Sequence, residues 1–245
     1  DLETDQANEA FRRVIRDFQD LYEARPAIIA ADAHPDYLST KFAHDLAKAD
    51  PQPSTLNPQL LSVQHHIAHV LSCIAENELE PPLLGVSWDG TGYGLDGTVW
   101  GGEFFLVTET SCERVAHLRQ FRLPGGDRAV KEPRRTALGL LYEMFGEAAF
   151  AMADAAPVRA FSPAELGLLR TMLARRLNSP LTSSVGRLFD AAASLAGLRQ
   201  QVRFEGQAAM ELEFALEGIA TAEAYDLPIR SGHESRITDH APLQL

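Results

Sequence analysis

The stretch VQHHIAHVLSCIAENELEPPLLGVSWDGTGYGLDGTVWGGEFFLV, residues Val63 to Val107, decides the fold class. It predicts a helix, a short apolar strand over Leu83–Trp88, a glycine-rich turn that begins with DGTGYG at Asp89, and a second strand. This stretch predicts a βαβ-like arrangement, and strands and helices also alternate before it, which favours parallel pairing with right-handed crossovers. We therefore expect an α/β protein whose functional residues concentrate here.

Two histidines lie one turn apart on the predicted helix. Apolar residues recur at helical spacing from Ile67 to Ile74 and form one face. His65 and His69 share the opposite face, because residues four apart in a helix stack above one another. His66 points elsewhere, and we expect it to pack or to support a ligand. Two imidazoles one turn apart can bind a single ion, so the sequence predicts a divalent-metal site, with a solvated polar face as the alternative.

A carboxylate followed by glycines comes directly after the predicted strand. Asp89 precedes Gly90 and Gly92, twenty residues after His69. Glycines let the backbone approach a ligand closely, and this arrangement is common in phosphate and metal sites. An Asp-Gly hairpin turn is the alternative. The histidines upstream favour the ligand site.

Composition limits the classes of function. The 245 residues, 45% of them hydrophobic, can bury one large core or two modest ones. The formal net charge of −12 argues against a nucleic-acid partner, because neutralising phosphates requires clustered Lys and Arg. The sequence contains no run of eighteen apolar residues, so it predicts no membrane-spanning helix. The two cysteines, Cys73 and Cys112, fit a reducing compartment, so we expect a cytoplasmic protein.

The remaining patterns predict two lobes, an α/β lobe over residues 1–123 and a helix-rich lobe over residues 124–245, with the site between them. The predicted strands and helices, with one helix-breaking segment, are the helix around Phe11–Tyr22, the strand Ala27–Ala31, the helix Tyr37–Lys48 capped by Asp36, the break at Pro51–Ser54, the strand at Leu61–Val63, the strand Arg114–Leu123, and the helices Arg134–Phe145, Pro163–Leu177, Val185–Leu198 and Gly206–Gly218.

The second lobe supplies basic candidates for anion binding. Lys131 and Arg134 follow a glycine turn at Gly125 and Gly126. Basic groups beside such a turn suit a phosphate or a carbamoyl phosphate-derived anion. A solvated helix start is the alternative.

Further candidates lie at two predicted helix starts. At the first, Ser184 and Gly186 precede an apolar helix that carries Arg187 and Asp190, and a nucleotide can meet N–H groups there. Simple N-capping is the alternative. At the second, Glu205 and Gln207 flank a glycine, where ribose or base contact and capping both remain open.

The sequence resembles the Kae1-like carbamoyltransferase domain of the HypF hydrogenase-maturation family, which is related to the Kae1/TsaD tRNA-modification proteins and to antibiotic O-carbamoyltransferases. The matching segments follow the family's order: HPDYLST (34–40), VQHHIAH (63–69), DGTGYG and WGGEF (89–104), PGGDRAVKEPRRTA (124–137), SSVGRLFDAAA (183–193) and FEGQAAMELE (204–213).

The resemblance implies an ASKHA-type (actin-like ATPase) two-lobed α/β fold whose second lobe is helix-rich and incomplete in this chain. It implies transfer of a carbamoyl group from carbamoyl-adenylate to the C-terminal cysteine thiolate of HypE, so no side-chain nucleophile is needed. Carbamoyl-adenylate would be made from ATP and carbamoyl phosphate by a YrdC-like domain. His65, His69 and Asp89 would hold iron or zinc, and magnesium could serve as a further cofactor. Amides around Gly90, Thr91 and Gly92 would position the adenylate phosphate.

The chain departs from the family pattern in several respects. The acylphosphatase-like, zinc-finger-like and YrdC-like regions expected upstream are absent, as are a later glycine-rich segment and the last metal-ligand Asp. These departures and the missing initiator Met predict a fragment with an incomplete site. Two alternatives remain: O-carbamoyl transfer or tRNA threonylcarbamoyl transfer on the same architecture, and a non-catalytic docking module that binds HypE or the rest of its own protein.

Overall fold

The computed structural model describes residues 2, 4–24, 26–48, 58–224, 226 and 228–230. Contacts divide the chain into two units, residues 1–72 and residues 73–245. The predicted break at Pro51–Ser54 lies outside the described residues. The predicted division at residue 123 stays a prediction.

The first unit contains a two-stranded parallel sheet. Strands β1 and β2 pair in register from Ile28 opposite Gln59 to Asp32 opposite Val63, so the parallel pairing predicted from the sequence is confirmed here. Helix α2 connects the two strands and buries Thr40 and Ala43. The elements are α1 (Asp5–Leu21), β1 (Ile28–Asp32), α2 (Leu38–Lys48), β2 (Gln59–Val63) and α3 (His65–Glu76), whose last residues belong to the second unit.

The second unit contains a five-stranded mixed sheet. Its strands are β3 (Leu83–Tyr93), β4 (Val99–Val107), β5 (Cys112–His117), β6 (Phe121–Arg122) and β7 (Leu181–Thr182). The order is β3-β4-β7-β6, with β5 also on β4, and only the pairing of β4 with β7 is parallel. The βαβ-like arrangement expected over Val63–Val107 does not form, because β2 and β3 belong to different sheets. The single strand predicted over Arg114–Leu123 is also wrong, since β5 ends at His117 and β6 starts at Phe121.

Residues 89–93 of the DGTGYG segment lie inside a strand, and only Gly94 belongs to a turn. Strand β3 continues to Tyr93, and its pairing with β4 jumps from Trp88 opposite Gly102 to Gly92 opposite Trp100. Residues 89–91 thus face the single residue Gly101 as a β-bulge. The turn comes later, where the N–H of Gly97 donates to the carbonyl of Gly94 at 2.9 Å.

Helices dominate the rest of the second unit, as predicted. They are α4 (Asp127–Lys131), α5 (Pro133–Phe145), a 3₁₀ helix (Gly146–Ala151), α6 (Ala156–Arg159), α7 (Pro163–Arg175), α8 (Val185–Leu195) and α9 (Gln207–Ala215). Leu138, Val158 and Leu169 belong to one apolar cluster that joins α5, α6 and α7. Ser162 starts α7 with a capping box closed by Glu165, which explains why that boundary is visible in the sequence.

Among the described residues, no helix is both long enough and apolar enough to span a membrane.

Candidate functional site

Gln64 fixes the start of the histidine-bearing helix α3. Its side-chain oxygen accepts hydrogen bonds from the backbone N–H groups of His66 and Ile67, at 2.8 and 3.0 Å. Its amide nitrogen lies 3.0 Å from Nδ1 of His66. Both Gln64 and His66 are buried, which fits the expected packing of His66, and support of a ligand by His66 stays a prediction. Gln64 thus satisfies two of the backbone N–H groups that have no partner within the first turn of α3.

His65 and His69 bring their ring nitrogens together on the exposed side of α3. The two Nε2 atoms lie 3.2 Å apart, and the ring planes are perpendicular. Nδ1 of His65 lies 3.0 Å from Oδ2 of Asp32, the last residue of β1. Two nitrogens bound to one tetrahedral ion at about 2.0–2.1 Å lie about 3.3 Å apart. The pair therefore fits a divalent ion of the zinc or iron type.

Asp89 and Gly90 occupy the bulge of β3 in the second unit. Oδ1 of Asp89 accepts from the N–H of Gly90 at 2.6 Å. The hydroxyl of Ser184 lies 2.8 Å from both backbone carbonyls, of Asp89 and of Gly90. Ser184 is also the N-cap of α8, because its oxygen accepts from the N–H of Arg187 at 3.1 Å. One hydroxyl thus ties the bulge to the start of a helix.

Two glycines permit this close approach. A Cβ on Gly186, in the first turn of α8, would lie 2.7 Å from Cα of Gly90. A Cβ on Gly101, the residue of β4 opposite the bulge, would collide with the backbone oxygen of Asp89 and lie 2.9 Å from Ser184. Real Cβ atoms do not come this close to backbone. Glycine at these positions is therefore required by the close packing.

A buried charged group lies beside Gly90. Arg187 and Asp190 are both buried, and Nη2 of Arg187 lies 3.2 Å from Oδ2 of Asp190. Among the described residues, Nε and Nη1 of Arg187 have no hydrogen-bond partner. Burial, and secondarily the charge of Glu205, raise the pKa of Asp190 to about 6, although Arg187 opposes the shift. Buried donors of this kind usually have a partner, so Arg187 has donors available for a ligand or a water molecule.

A buried carboxylate stabilises the segments around the bulge and the start of α8. Glu103 on β4 is fully buried, and its Oε1 accepts from the N–H of Gly101 at 3.2 Å and from the hydroxyl of Ser183. Its Oε2 accepts from Nε of Arg114 at 2.5 Å. The guanidinium of Arg114 lies 4.0 Å from the centre of the Trp100 ring. Glu103 thus connects β4, β5 and the residue before the α8 cap.

The structure brings some predicted site residues together and gives others different surroundings. Asp89, Gly90, Ser184, Gly186, Arg187, Asp190 and Glu205 share the contacts above. Thr91 bonds to the carbonyl of Gly90, Gly92 pairs with Trp100, and Lys131 is exposed at the end of α4. Gln207 bonds to Arg203 and Glu211. Their ligand roles stay predictions.

Arg134 is held by protein groups. Its guanidinium donates to Glu132 at 2.8 Å and to Glu165 at 3.2 Å, and it lies 4.3 Å from the Phe161 ring. Glu132 also pairs with Arg128 and Arg135, and these hydrogen bonds lower the pKa of Glu132 although burial alone would raise it. The arginine that the sequence offered for an anion therefore already has two carboxylates. Its anion-binding role stays a prediction.

Sequence reasoning missed Asp32, Gln64, Glu103 and Arg114. Asp32 lies one residue beyond the predicted strand Ala27–Ala31, and in the structure it is the last residue of β1. Glu103 carries a signal that could have been used, since it is the one charged residue of the apolar strand VWGGEFFLV. A charge in a buried strand predicts a buried partner.

Two family models cover most of the chain. The model described as the HypF Kae1-like domain matches residues 1–76. The model described as the second subdomain of the Kae1-like domain of carbamoyltransferases matches residues 85–244.

Curated relatives agree with these models. The chain is 39% identical to carbamoyltransferase HypF of Synechocystis sp., over 99% of this chain and 32% of that protein. It is 42% identical to carbamoyltransferase HypF2 of Cupriavidus necator, over 84% of this chain and 24% of that protein. The chain thus spans about a third of the length of the first of these relatives and about a quarter of the second.

Solved structures confirm the predicted Kae1-like α/β fold of the ASKHA type. A crystal structure of full-length HypF in a phosphate- and nucleotide-bound form matches 95% of this chain and 28% of its own, with a TM-score of 0.82 and 37% identity. HypF of T. kodakarensis matches 94% of this chain and 30% of its own, with a TM-score of 0.81 and 32% identity. The chain therefore belongs to the HypF carbamoyltransferase family and corresponds to its Kae1-like domain.

Proposed function

We propose that this chain forms the carbamoyl-transferring part of a HypF-type enzyme, which moves a carbamoyl group from carbamoyl-adenylate to the C-terminal cysteine thiolate of a HypE-type acceptor during hydrogenase maturation. The observation that carries the proposal is the cluster around Gly90. There a bulge, a helix start and the buried donors of Arg187 offer an anionic nucleotide several N–H groups.

We further propose that His65, His69 and Asp89 are ligands of one divalent ion, iron or zinc. The facing Nε2 atoms of the histidines and the choice of donors support this set. Such an ion would supply a Lewis acid for the carbamoyl carbonyl or a phosphate oxygen.

The residues of the second unit would bind and orient the nucleotide. Amides of the bulge and of the first turn of α8 would face the phosphate, because both present N–H groups and the helix dipole favours negative charge. Arg187 would donate its unsatisfied hydrogens to an anionic group. Asp190 and Glu205, near the same glycine, would accept from ribose hydroxyls.

The reaction needs no nucleophile from this chain. The acceptor thiolate attacks the carbamoyl carbon, a sulfur–carbon bond forms, the carbon–oxygen bond to the adenylate phosphate breaks, and AMP leaves with the electron pair. The chain contributes by holding donor and acceptor in line. A YrdC-like and an acylphosphatase-like domain of the longer protein would supply the donor. The cytoplasmic location predicted from the sequence stays a prediction.

Nucleotide titration tests the proposal directly. We expect AMP and ATP to bind the chain in calorimetry, and Arg187→Gln to weaken binding about tenfold or more, since a charge-assisted hydrogen bond contributes about 1.5–3 kcal/mol. Arg170→Gln is the matched control, because Arg170 is exposed and pairs only with Glu147 among the described residues.

Transfer is then measured with a HypE-type peptide that ends in cysteine. Carbamoyl-adenylate, peptide and chain should give a peptide heavier by one carbamoyl group, which mass spectrometry detects. If neither nucleotide binds to the native chain, the enzymatic proposal is wrong and the docking module takes its place.

A further inference from the structure

We propose that Asp32 is the positioning residue of the metal site: its carboxylate holds His65 in the one tautomer that can bind an ion. The inference rests on the proposed metal site. It concerns a residue outside the expected ligand set, in a different element of the first unit.

The two carboxylate oxygens of Asp32 have separate partners. Oδ1 accepts from the backbone N–H of His34 at 2.7 Å. Oδ2 lies 3.0 Å from Nδ1 of His65. Each oxygen therefore makes its own hydrogen bond, and rotation of the carboxylate away from this position would break at least one of the two.

This contact determines where His65 carries its hydrogen. An ionised carboxylate only accepts hydrogen bonds, so Nδ1 of His65 must be the donor. A neutral imidazole with hydrogen on Nδ1 has its lone pair on Nε2. That Nε2 is the atom that faces Nε2 of His69 at 3.2 Å. The carboxylate therefore directs the metal-binding atom of His65 toward the second histidine.

The surroundings make Asp32 a rigid support. It ends β1 opposite Val63, and the next residue, Ala33, donates to the carbonyl of Val63 at 2.9 Å. The hydroxyl of Thr40 in α2 donates to the carbonyl of Asp32 at 3.0 Å. The carboxylate is thus fixed by strand and helix, and carboxylate–histidine pairs of this kind orient ligands in metal sites.

Replacement by asparagine reverses the polarity of one bond with little change of shape. If the amide oxygen keeps the N–H of His34, the amide NH₂ faces Nδ1 of His65 and donates to it. Hydrogen then moves to Nε2, which can no longer bind a metal. The opposite rotamer places NH₂ against a backbone N–H, so the first arrangement is favoured.

The test uses the whole chain and two readouts. Nitrogen-15 NMR of the metal-free protein reports the tautomer of His65, and competition with a chelator reports the affinity for Zn²⁺. We expect hydrogen on Nδ1 in the native chain and on Nε2 in Asp32→Asn, and an affinity lower by about 10- to 100-fold in the variant. Asp36→Asn is the control, since Asp36 is an exposed carboxylate of the same connection that pairs with Lys41. Its affinity should equal that of the native chain.

The outcomes separate the two proposals. Hydrogen on Nε2 in the native chain, an unchanged tautomer in Asp32→Asn, or an affinity no lower than that of Asp36→Asn would each overturn the role of Asp32. Hydrogen on Nδ1 with no Zn²⁺ binding by the native chain would overturn the metal site and leave the orienting contact supported.

Discussion

The carboxylate of Glu103 accepts a hydrogen bond from the hydroxyl of Ser183, 80 residues later in the chain. Ser183 precedes Ser184, whose hydroxyl binds the carbonyls of Asp89 and Gly90. A fully buried glutamate thus supports the candidate nucleotide site without lying in it. The same carboxylate also forms an ion pair with Arg114, so Glu103 contributes both a hydrogen-bond acceptor and a compensating negative charge.

Replacement of Glu103 should be costly. Glu103→Gln leaves the side chain of Arg114, 8% exposed, with Asp96 as its remaining carboxylate partner among the described residues. We expect the free energy of unfolding in urea to fall by about 3 kcal/mol, as when one partner of a buried ion pair is removed. Glu113→Gln, an exposed glutamate on the neighbouring strand, should change it by less than about 0.5 kcal/mol. Equal effects would show that the Glu103 ion pair contributes little.

Two glycine-to-alanine changes should have opposite signs. In α7, no atom lies within 4 Å of the position that an added methyl group on Gly167 would take, so Gly167→Ala should stabilise the chain by about 0.5–1 kcal/mol. In α8, a methyl on Gly186 would meet Cα of Gly90 at 2.7 Å. We expect Gly186→Ala to destabilise by about 1–3 kcal/mol and to weaken AMP binding. Stabilisation by both changes, measured in urea, would contradict the close packing of α8 on the bulge.

The buried carboxyl of Asp190 should make stability depend on pH. Its folded pKa of about 6 lies above the ordinary value of 3.8, so the unfolded chain loses this proton first as pH rises. The group therefore favours folding below about pH 4 and loses that contribution between about pH 4 and pH 6. We expect the native chain to lose on the order of 2–3 kcal/mol relative to Asp190→Asn from pH 4 to pH 7. A difference that stays constant with pH would refute the raised pKa.

Metal retention should depend on both histidines of α3. His65→Ala and His69→Ala remove one nitrogen each from the facing pair, and both residues lie off the buried side of the helix. We expect elemental analysis to find iron or zinc in the purified native chain and its loss in each variant, with an unchanged helical circular dichroism signal. His44→Ala, on the exposed side of α2, is the control. A variant of His65 or His69 that keeps the full metal content would remove that residue from the ligand set.

Local patterns predicted the helices well. The predicted helices Arg134–Phe145 and Pro163–Leu177 correspond to α5 (Pro133–Phe145) and α7 (Pro163–Arg175). Proline near the start, a capping box and helical spacing all act within a few residues, so the sequence displays them directly.

Pairing between strands was harder to predict. The alternation of strands and helices correctly gave the parallel pair of β1 and β2, but β3 pairs antiparallel with β4 in another sheet. An Asp-Gly step predicts a turn from local preference alone. Here that step lies in a bulge, because the strand on either side of it finds partners on β4. Strand partners lie far apart in the sequence, so a local sequence pattern does not predict them.

The candidate site was predicted in part for the same reason. Residues within conspicuous motifs, such as Asp89, Gly90, Ser184 and Arg187, do meet. Asp32 and Glu103 are single carboxylates without periodicity, and their partners lie 33 and 80 residues away. Only the fold reveals that pairing.

The bulge of β3 also determines what a change in the length of this segment would disturb. From position 88 to 92 the strand advances by four residues, while β4 advances by two, from 102 to 100. The bulge absorbs this surplus of two residues locally, and antiparallel pairing continues on both sides of it. Deleting one residue would leave a bulge with a surplus of one, which antiparallel strands also accommodate. We therefore expect a change of one residue in the length of this segment to preserve the pairing of β3 with β4 and to disturb the contacts of Ser184 with Asp89 and Gly90.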